Sequence, residues 1–266
     1  MAKGILFFDY DGTLVDEDAG IMKPTENTLH AIQQAKENGY LVILATGRTQ
    51  AYLKKMAEIP FDGYITTNGA YGIVGDQVLF NEIIPQDRIY QFIEYCKQHH
   101  IDYLLETQER SYYSEEAQSE FFWERLLFFD FDEKNFFNMK KTDIQELTVN
   151  KMFVMAGEHS ELELLKKEFA AELEIIPLPW GCFADVNNIG MCKGYGVEKF
   201  YETLNIPREN TYAFGDGNND YTMLERVGHG VAMKRHQPSL DEAAEYVTGS
   251  VEEDGVVQAM KHYGII

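Results

Sequence analysis

The sequence predicts an α/β protein with a Rossmann-like, doubly wound parallel-sheet core into which a second α/β domain is inserted. Short apolar runs at 4–8, 40–45 and 211–214 have the length and composition of buried parallel strands. Segments with helical periodicity separate them, which is the order of right-handed βαβ units. The pattern changes between residues 85 and 184. We therefore expect a discontinuous core domain at 1–84 and 185–266 and an inserted domain at 85–184.

Two carboxylates, Asp9 and Asp11, directly follow the first predicted strand, and Gly12 then turns the chain. In an open α/β sheet, ligands bind beyond the carboxyl ends of the strands. Two ionised groups this close repel each other and are costly to bury, and a divalent cation would remedy both problems. A solvated turn explains the same residues, because Asp and Gly are common in turns. A calcium-binding EF-hand does not, because its sixth position is glycine and its twelfth glutamate, where this chain has Leu14 and Gly20.

The rest of the first half continues the α/β order. A helix is predicted between Pro24 and Gly39, because apolar residues recur at helical spacing and an Asn-Gly pair ends it. The second strand ends at Thr46-Gly47-Arg48, which places Thr46 at the same edge of the sheet as Asp9. The remaining predicted elements are a helix at 49–58, a strand at 64–67 and a hairpin of 71–74 with 77–80.

The insertion is predicted to begin with a helix at 87–99 and a strand at 101–106. An aromatic-rich stretch at 121–137 would form the core of a second domain, or some of its rings would line a substrate pocket. A capping box at Ser160–Glu163 opens a helix that follows a strand at 151–156. The Pro-rich segment 177–181 is a candidate hinge back to the core.

The α/β order resumes after the insertion. Lys193-Gly194 precedes a helix, and the strand at 211–214 leads into Gly215-Asp216-Gly217-Asn218-Asn219-Asp220. This segment also fails the EF-hand pattern, because Tyr221 and Val227 occupy the sixth and twelfth positions. Three strands thus end in polar residues, with Lys193 in the same layer. Carboxylate-rich sites with open positions suit Mg²⁺, and no His or Cys cluster, catalytic triad, Walker loop or dinucleotide fingerprint is present in the sequence.

Composition limits the classes of partner. The chain has 266 residues, 44 of them acidic and 23 basic, and a formal charge of −21. Nucleic acid and anionic membranes are therefore not expected as partners, and a phosphorylated small molecule would need local cations at its site. Three cysteines without paired spacing predict free thiols in a reducing compartment. We find no signal-peptide pattern and no apolar run near the roughly 20 residues of a membrane span, so we expect a cytoplasmic protein.

Four segments resemble the signature motifs of the haloacid dehalogenase-like (HAD) phosphohydrolases, and they occur in the family's order. They are Phe8–Leu14, Leu44–Arg48, Lys193-Gly194 and Gly215–Asp220. Other features are similar to the Cof-type branch of the family, namely Thr66–Ala70, the position of the insertion, and Ala244–Thr248 followed by Asp254-Gly255-Val256. The resemblance spans nearly the whole chain. It implies the HAD fold with an α/β cap domain. It also implies that the protein is a Mg²⁺-dependent phosphatase of small phosphorylated metabolites, with sugar phosphates as the favoured substrates.

The resemblance also implies roles for individual residues. Asp9 would be the nucleophile that forms an aspartyl-phosphate intermediate, and Asp11 the general acid and then the general base. Lys193 would offset the negative charge of the phosphoryl group. The phosphate-binding residues would be Thr46, Gly47, Lys193 and Asn219; the Mg²⁺ ligands would be Asp9, the Asp11 backbone carbonyl and Asp216; and Asp220 would orient Lys193 or a water on the metal.

Some alternatives stay open at this stage. Phosphomannomutase-like phosphotransferases have a similar architecture, but they need a second phosphate site in the cap. The sequence of the insertion shows no compact basic cluster that would form such a site, which favours a hydrolase. A low-turnover regulator that binds phosphorylated metabolites is a further alternative, although every catalytic position holds a competent residue. Arg48 is either an exposed residue at the start of a helix or a contact to phosphate. Trp180 either packs at the hinge or contacts the substrate. Asp185 is a candidate hydrogen-bond partner for a sugar hydroxyl. We expect a monomer or a weak homodimer.

Overall fold

The structure is a computed structural model that describes residues 2–56, 59–115, 136–178 and 181–266. The predicted aromatic stretch up to residue 135 and Trp180 lie outside these residues. The chain divides into two compact units. The first unit comprises Met1–Arg48, Lys55–Asn81 and Cys192–Ile266, and the second comprises Thr49–Lys54 and Glu82–Met191.

The elements are numbered in chain order. The strands are β1 Gly4–Phe8, β2 Tyr40–Ala45, β3 Gly63–Thr66, β4 Tyr71–Val74, β5 Gln77–Asn81, β6 Asp102–Glu106, β7 Ser111–Tyr113, β8 Phe136–Asn138, β9 Lys151–Met155, β10 Leu173–Pro177, β11 Phe183–Asn188, β12 Thr211–Gly215, β13 His229–Ala232 and β14 Tyr246–Val247. The α-helices are α1 Glu26–Glu37, α2 Gln86–His99, α3 His159–Glu168, α4 Lys193–Thr203, α5 Tyr221–Arg226 and α6 Gly255–His262.

The first unit is built on a sheet in the order β14-β13-β12-β1-β2-β3-β4-β5. The strands from β14 to β3 are parallel, and β4 and β5 form the predicted antiparallel hairpin. The central strand β1 lies between β12 and β2, so the direction of strand order reverses there. This is the topological switch point at which open α/β sheets bind ligands. The predicted doubly wound parallel sheet is confirmed.

Both faces of the central strand are buried. Leu6 packs in one apolar cluster with Ile32 of α1 and Met260 of α6. Phe7 points to the opposite face and meets the Phe200 ring of α4 edge-on, with ring centroids 5.8 Å apart. Alternate residues of one strand therefore belong to two different cores, which explains why the run is apolar throughout rather than alternating. Packing on both faces holds the carboxyl end of β1 in place.

One predicted helix has a tighter form than expected. The segment predicted as a helix at 49–58 forms a 3₁₀-helix over Gln50–Met56, and residues 57–58 lie outside the described residues. Residues 49–54 also belong to the second unit rather than to the first. There the Ala51 backbone N–H donates to the Gln108 carbonyl at 2.9 Å. These long-range bonds have no signature in the local sequence.

The second unit has its own sheet, in the order β10-β11-β9-β6-β7-β8. Its pairs are antiparallel except for β7 with β8. One face carries an apolar core to which α2 contributes Phe92 and α3 contributes Leu165, against Tyr103 and Val186 of the sheet. Among the described residues, no helix is both long enough and apolar enough to cross a bilayer.

The border between the units differs from the prediction. We predicted that the insertion ends at residue 184, but this position lies inside β11, which pairs with β10 on one side and β9 on the other. Asp185, for example, is in register with Ile176 and Phe153. The ladder bonds of these pairs hold residues 185–188 in the second unit, which continues to Met191. The change in sequence pattern marked the middle of the last strand rather than its end.

Candidate active site

The carboxyl ends of the central strands bring several predicted residues to one edge of the first sheet. Asp9 follows β1, and its backbone N–H donates to the carbonyl of Phe214 in β12 at 2.9 Å. Thr46 follows β2, and its N–H donates to the Ile65 carbonyl of β3 at 2.9 Å. Asp216 follows β12 directly. Backbone bonds between neighbouring strands thus continue past the ends of β1 and β2 and position Asp9 and Thr46.

Lys193, the first residue of α4, forms two buried ion pairs. Its Nζ lies 2.5 Å from Asp9 Oδ1 and 2.6 Å from Asp220 Oδ1, and its side chain is 1% exposed. Burial by itself lowers the pKa of Lys193, but the Asp220 and Asp9 carboxylates outweigh it and the pKa is raised overall. The ammonium is therefore a fixed positive charge. Asp220 is also bound through Oδ2, which accepts the N–H groups of Asp216 at 3.0 Å and Gly217 at 2.9 Å.

Three carboxylates meet at this edge of the sheet. Ligand oxygens of Asp9, Asp216 and Asp220 all lie within 4.8 Å of one another. Burial, followed by the charge of Asp220, raises the pKa of Asp9 well above its usual value. The same two causes raise the pKa of Asp216 to about 7. Lys193 pairs with two of these three carboxylates, so the cluster carries excess negative charge when all three are ionised. This donor set and charge fit a hard divalent cation such as Mg²⁺.

The turn after Asp11 contributes two residues that the sequence did not single out for the site. Gly12 has a φ of +81°, and a Cβ at this position would lie 2.2 Å from Asp216 Oδ2. Thr13 donates its hydroxyl to Asp216 Oδ1 at 3.1 Å. Only glycine fits so close to the carboxylate, and the hydroxyl next to it sets the direction of that carboxylate. The sequence signal that could have identified these two residues is Asp11-Gly12-Thr13, in which a glycine and a hydroxyl residue follow the paired carboxylates.

Asp11 is oriented differently from Asp9. Its Oδ2 pairs with Arg48 Nη2 at 2.8 Å, and the two side chains are about half exposed, at 52% and 42%. Its carboxylate is not part of the cluster formed by Asp9, Asp216 and Asp220. Arg48, for which the sequence left two roles open, thus binds the residue predicted to be the general acid. A contact from Asp11 to the metal through its backbone carbonyl stays a prediction.

Apart from Lys193, the predicted phosphate-binding residues lie on two loops of the first unit. Thr46 is buried, at 4% exposure, and its Oγ1 accepts the Arg48 N–H at 3.2 Å. The neighbouring Gly47 lies so close to Asn68 that a Cβ would be 2.6 Å from the amide oxygen Oδ1. Asn219 is exposed, in the turn Asn218–Asp220. Their roles in binding phosphate stay predictions.

The second unit contains a separate buried ion cluster. Lys151 Nζ lies 2.9 Å from Glu106 Oε2 and 3.0 Å from Asp185 Oδ1. Burial lowers the pKa of Lys151, but Asp185 and then Glu106 outweigh it, so the pKa is raised overall. Asp185, a candidate partner for a sugar hydroxyl, thus accepts a bond from a lysine of its own sheet. Lys151 thus lies between two acids of the second unit.

Comparison with known proteins identifies the family. The family model for haloacid dehalogenase-like hydrolases matches residues 6–260. The putative phosphatase YkrA of Bacillus subtilis (strain 168) is 29% identical, and the alignment covers 100% of both chains. The 5-amino-6-(5-phospho-D-ribitylamino)uracil phosphatase YitU of the same organism is 28% identical, with 97% of each chain covered.

A solved structure supports the same assignment. The HAD subclass IIB sugar phosphatase BT4131 is 31% identical and superposes with a TM-score of 0.82, covering 99% of this chain and 100% of the other. The predicted HAD fold and the resemblance to the Cof-type branch are confirmed by these matches. The predicted enzyme class, a phosphatase of this superfamily, is confirmed as well. The chain therefore belongs to the haloacid dehalogenase-like hydrolases.

Proposed function

We propose that the protein is a Mg²⁺-dependent phosphatase that hydrolyses small phosphorylated metabolites, sugar phosphates above all, through an aspartyl-phosphate on Asp9. One observation carries the proposal. Lys193 is buried between Asp9 and Asp220 at ion-pair distance, with Asp216 in the same cluster. This arrangement supports the proposal, because it puts a fixed positive charge beside Asp9, the proposed nucleophile, at the switch point of the sheet.

Asp9 is suited to attack phosphorus because a carboxylate needs no base once it is ionised. Its difficulty is the negative charge of the phosphoryl group that it must approach. Lys193 Nζ, 2.5 Å from Asp9 Oδ1, offsets that charge and the charge that spreads over the phosphoryl oxygens in the transition state. Asp220 holds the ammonium in place from the other side at 2.6 Å. This contact supports the proposal that Asp220 orients Lys193.

The chemistry requires two steps that balance in protons. In the first, Asp9 attacks phosphorus, the ester bond to the leaving group breaks, and protonated Asp11 gives its proton to the leaving oxygen. In the second, Asp11 takes a proton from water, which attacks phosphorus, releases phosphate and restores the Asp9 carboxylate. Arg48, bonded to Asp11 at 2.8 Å, orients the acid.

The carboxylate cluster supports the proposed cofactor. Asp9, Asp216 and the backbone carbonyl of Asp11 would hold Mg²⁺, and Thr13 orients Asp216 by its hydroxyl at 3.1 Å. When bound, the ion supplies the positive charge that a phosphate dianion needs among three carboxylates. Asp220 is excluded as a ligand in this scheme, because Lys193 and two backbone N–H groups occupy its oxygens. Thr46, Gly47 and Asn219 are proposed to contact the phosphoryl oxygens.

The substrate class rests on the relatives and on charge. The names of YitU and BT4131 assign them a phosphorylated ribitylaminouracil and sugar phosphates. A third relative, YbhA of Escherichia coli (strain K12), is named a pyridoxal phosphate phosphatase and is 26% identical. A formal charge of −21 disfavours nucleic acid and anionic membranes as partners. We propose a cytoplasmic enzyme that is a monomer or a weak homodimer.

Phosphate release from a panel of sugar phosphates, nucleotides and pyridoxal phosphate tests the proposal. The assay is run with Mg²⁺ and with EDTA, on wild type, Asp9→Asn and a control, Asp241→Asn. Asp241 is 66% exposed and lies outside the cluster, so its variant should keep full activity. We expect Mg²⁺-dependent turnover in wild type and its loss in Asp9→Asn. Turnover that survives in Asp9→Asn would refute the nucleophile, and tight binding without turnover in wild type would favour a regulator.

A further inference from the structure

The turn that follows β3 has an unusual backbone. Thr67, Asn68 and Gly69 have φ values of +51°, +55° and +96° in succession. Left-handed conformations are strained for residues with a Cβ, and most of all for a β-branched residue such as threonine. Such a conformation persists where surrounding structure imposes it, and it is concentrated at functional sites. Thr67 is fully buried and Asn68 nearly so, at 0% and 7% exposure.

The left-handed turn directs two donors at the loop that carries Thr46. The Thr67 N–H donates to the Arg48 carbonyl at 2.9 Å, and the Asn68 N–H donates to the Thr46 carbonyl at 3.3 Å. Successive N–H groups alternate in direction along a strand, whereas helical dihedrals of either hand make them parallel. The turn can therefore bond the same loop twice only because it leaves the extended conformation. The Asn68 side chain adds a contact, since its Oδ1 lies against Gly47.

The other side of the turn lies against the beginning of α4. A Cβ on Gly69 would be 2.0 Å from the carbonyl oxygen of Cys192 and 3.1 Å from the backbone nitrogen of Gly196. Cys192 immediately precedes Lys193 and caps the helix by accepting the Tyr195 N–H. The same three-residue turn therefore contacts the loop that carries Thr46 and the backbone that carries Lys193.

We propose that Asn68 is a positioning residue for the phosphoryl site: its left-handed backbone holds the Thr46–Arg48 loop in register with Lys193. The inference rests on the proposed function, because Thr46 and Lys193 are the phosphoryl contacts of that proposal. A shift of about 1 Å in a positioned group can cost about a hundredfold in rate. A relaxed turn should thus impair turnover and the binding of a phosphoryl mimic together.

A pair of substitutions separates backbone from side chain. Asn68→Ala and Asn68→Gly both remove the amide, but only alanine disfavours the left-handed conformation. We expect Asn68→Ala to lower kcat about tenfold and to raise the inhibition constant of orthovanadate by a similar factor. This effect is smaller than the roughly hundredfold loss for a shift of about 1 Å, because the turn is relaxed rather than removed. Asn68→Gly should stay within about threefold of wild type in both. Should Asn68→Ala not fold, Asn68→Ser takes its place, since serine keeps a polar side chain but is strained in the same way.

The chain offers a matched control at Asn205, which has a φ of +53° and is exposed after the end of α4. Asn205→Ala should lower the Tm and leave kcat and orthovanadate inhibition unchanged. All assays are run well below the Tm of each variant. Wild-type kinetics in Asn68→Ala, or equal losses in Asn68→Ala and Asn68→Gly, would overturn the inference alone. Absence of phosphate release by wild type would overturn the proposed function and this inference with it.

Discussion

Replacing Lys193 by methionine removes the positive charge that pairs with Asp9 and Asp220 and keeps most of the side-chain volume. The side chains of Lys193, Asp9 and Asp220 are 1%, 13% and 0% exposed, so solvent cannot compensate for the lost partner. Ligand oxygens of Asp9, Asp216 and Asp220 would remain within 4.8 Å of one another. The variant therefore combines two broken ion pairs with the mutual repulsion of three carboxylates.

Removal of one partner from a buried ion pair costs about 3–5 kcal/mol, because the other charge is left unpaired. We expect this loss in the free energy of unfolding of Lys193→Met, measured by urea denaturation without divalent cations. At about 2–4 °C per kcal/mol for a unit of this size, the Tm should fall by roughly 6–20 °C. In the presence of Mg²⁺, kcat should fall about 10²–10³-fold, the effect of removing one charge-stabilising donor.

A second substitution tests the electrostatic origin of the loss. Lys193→Met with Asp220→Asn leaves one carboxylate fewer, so it should regain about 1–3 kcal/mol of stability while kcat stays low. Lys199→Met is the matched control on the same helix, because Lys199 donates to the Tyr195 hydroxyl and lies over the rings of Phe80 and Tyr195, away from the carboxylate cluster. It should lose no more than about 1 kcal/mol and keep full kcat. A stable, active Lys193→Met, or a double variant less stable than the single one, would refute the reasoning.

Three further predictions address other parts of the chain. Gly12→Ala places a Cβ 2.2 Å from a carboxylate oxygen, so the Mg²⁺ concentration for half-maximal phosphate release should rise at least about tenfold, given strain of about 1–3 kcal/mol. Gly20→Ala, with a similar φ of +74° but no neighbour within 4 Å, should not change it, and equal effects would contradict the steric argument. Burial of Cys96 raises its thiol pKa, whereas the other two cysteines are partly exposed. Ellman's reagent should therefore modify two thiols in the native protein and the third only after denaturation. Rapid modification of all three thiols would contradict the burial of Cys96. Lys151→Met leaves the buried Glu106 carboxylate without its ion pair at 2.9 Å, so the second unit should lose about 3–5 kcal/mol of stability in urea, and an unchanged midpoint would contradict that estimate.

Much of the fold was readable because its signals are local. The apolar run 4–8 coincides with β1, and Asn-Gly after α1 ends that helix, with Asn38 as the C-cap. Strands that are parallel share a carboxyl edge, so the sequence order predicted that Thr46 would lie at the same edge of the sheet as Asp9. That the strand before Asp216 is the other neighbour of β1 was decided by the structure. Family motifs at these positions then implied the chemistry.

The errors arose where tertiary bonds override local patterns. Residues 49–54 were predicted to be helical, but they belong to the second unit. There the Ala51 N–H donates to the Gln108 carbonyl, and the Tyr52 hydroxyl lies 2.8 Å from Ser111 Oγ. The end of the insertion was placed at 184 because the family-like pattern resumes near there. Strand β11 continues through Asn188, since its pairing with β9 and β10 is decided by residues far away in the chain.

By itself, the sequence determined the α/β class and the strands that end in acidic residues, and it predicted a cation among those residues, because periodicity and charge are local properties. Only the tertiary structure decided which charges meet. Lys193 pairs with Asp9, which is 184 positions away in the sequence, and Arg48 forms an ion pair with Asp11. It also decided the left-handed backbone of Thr67 and Asn68. A threonine or asparagine does not prefer that conformation on its own, so the neighbours that impose it must already be packed around the turn.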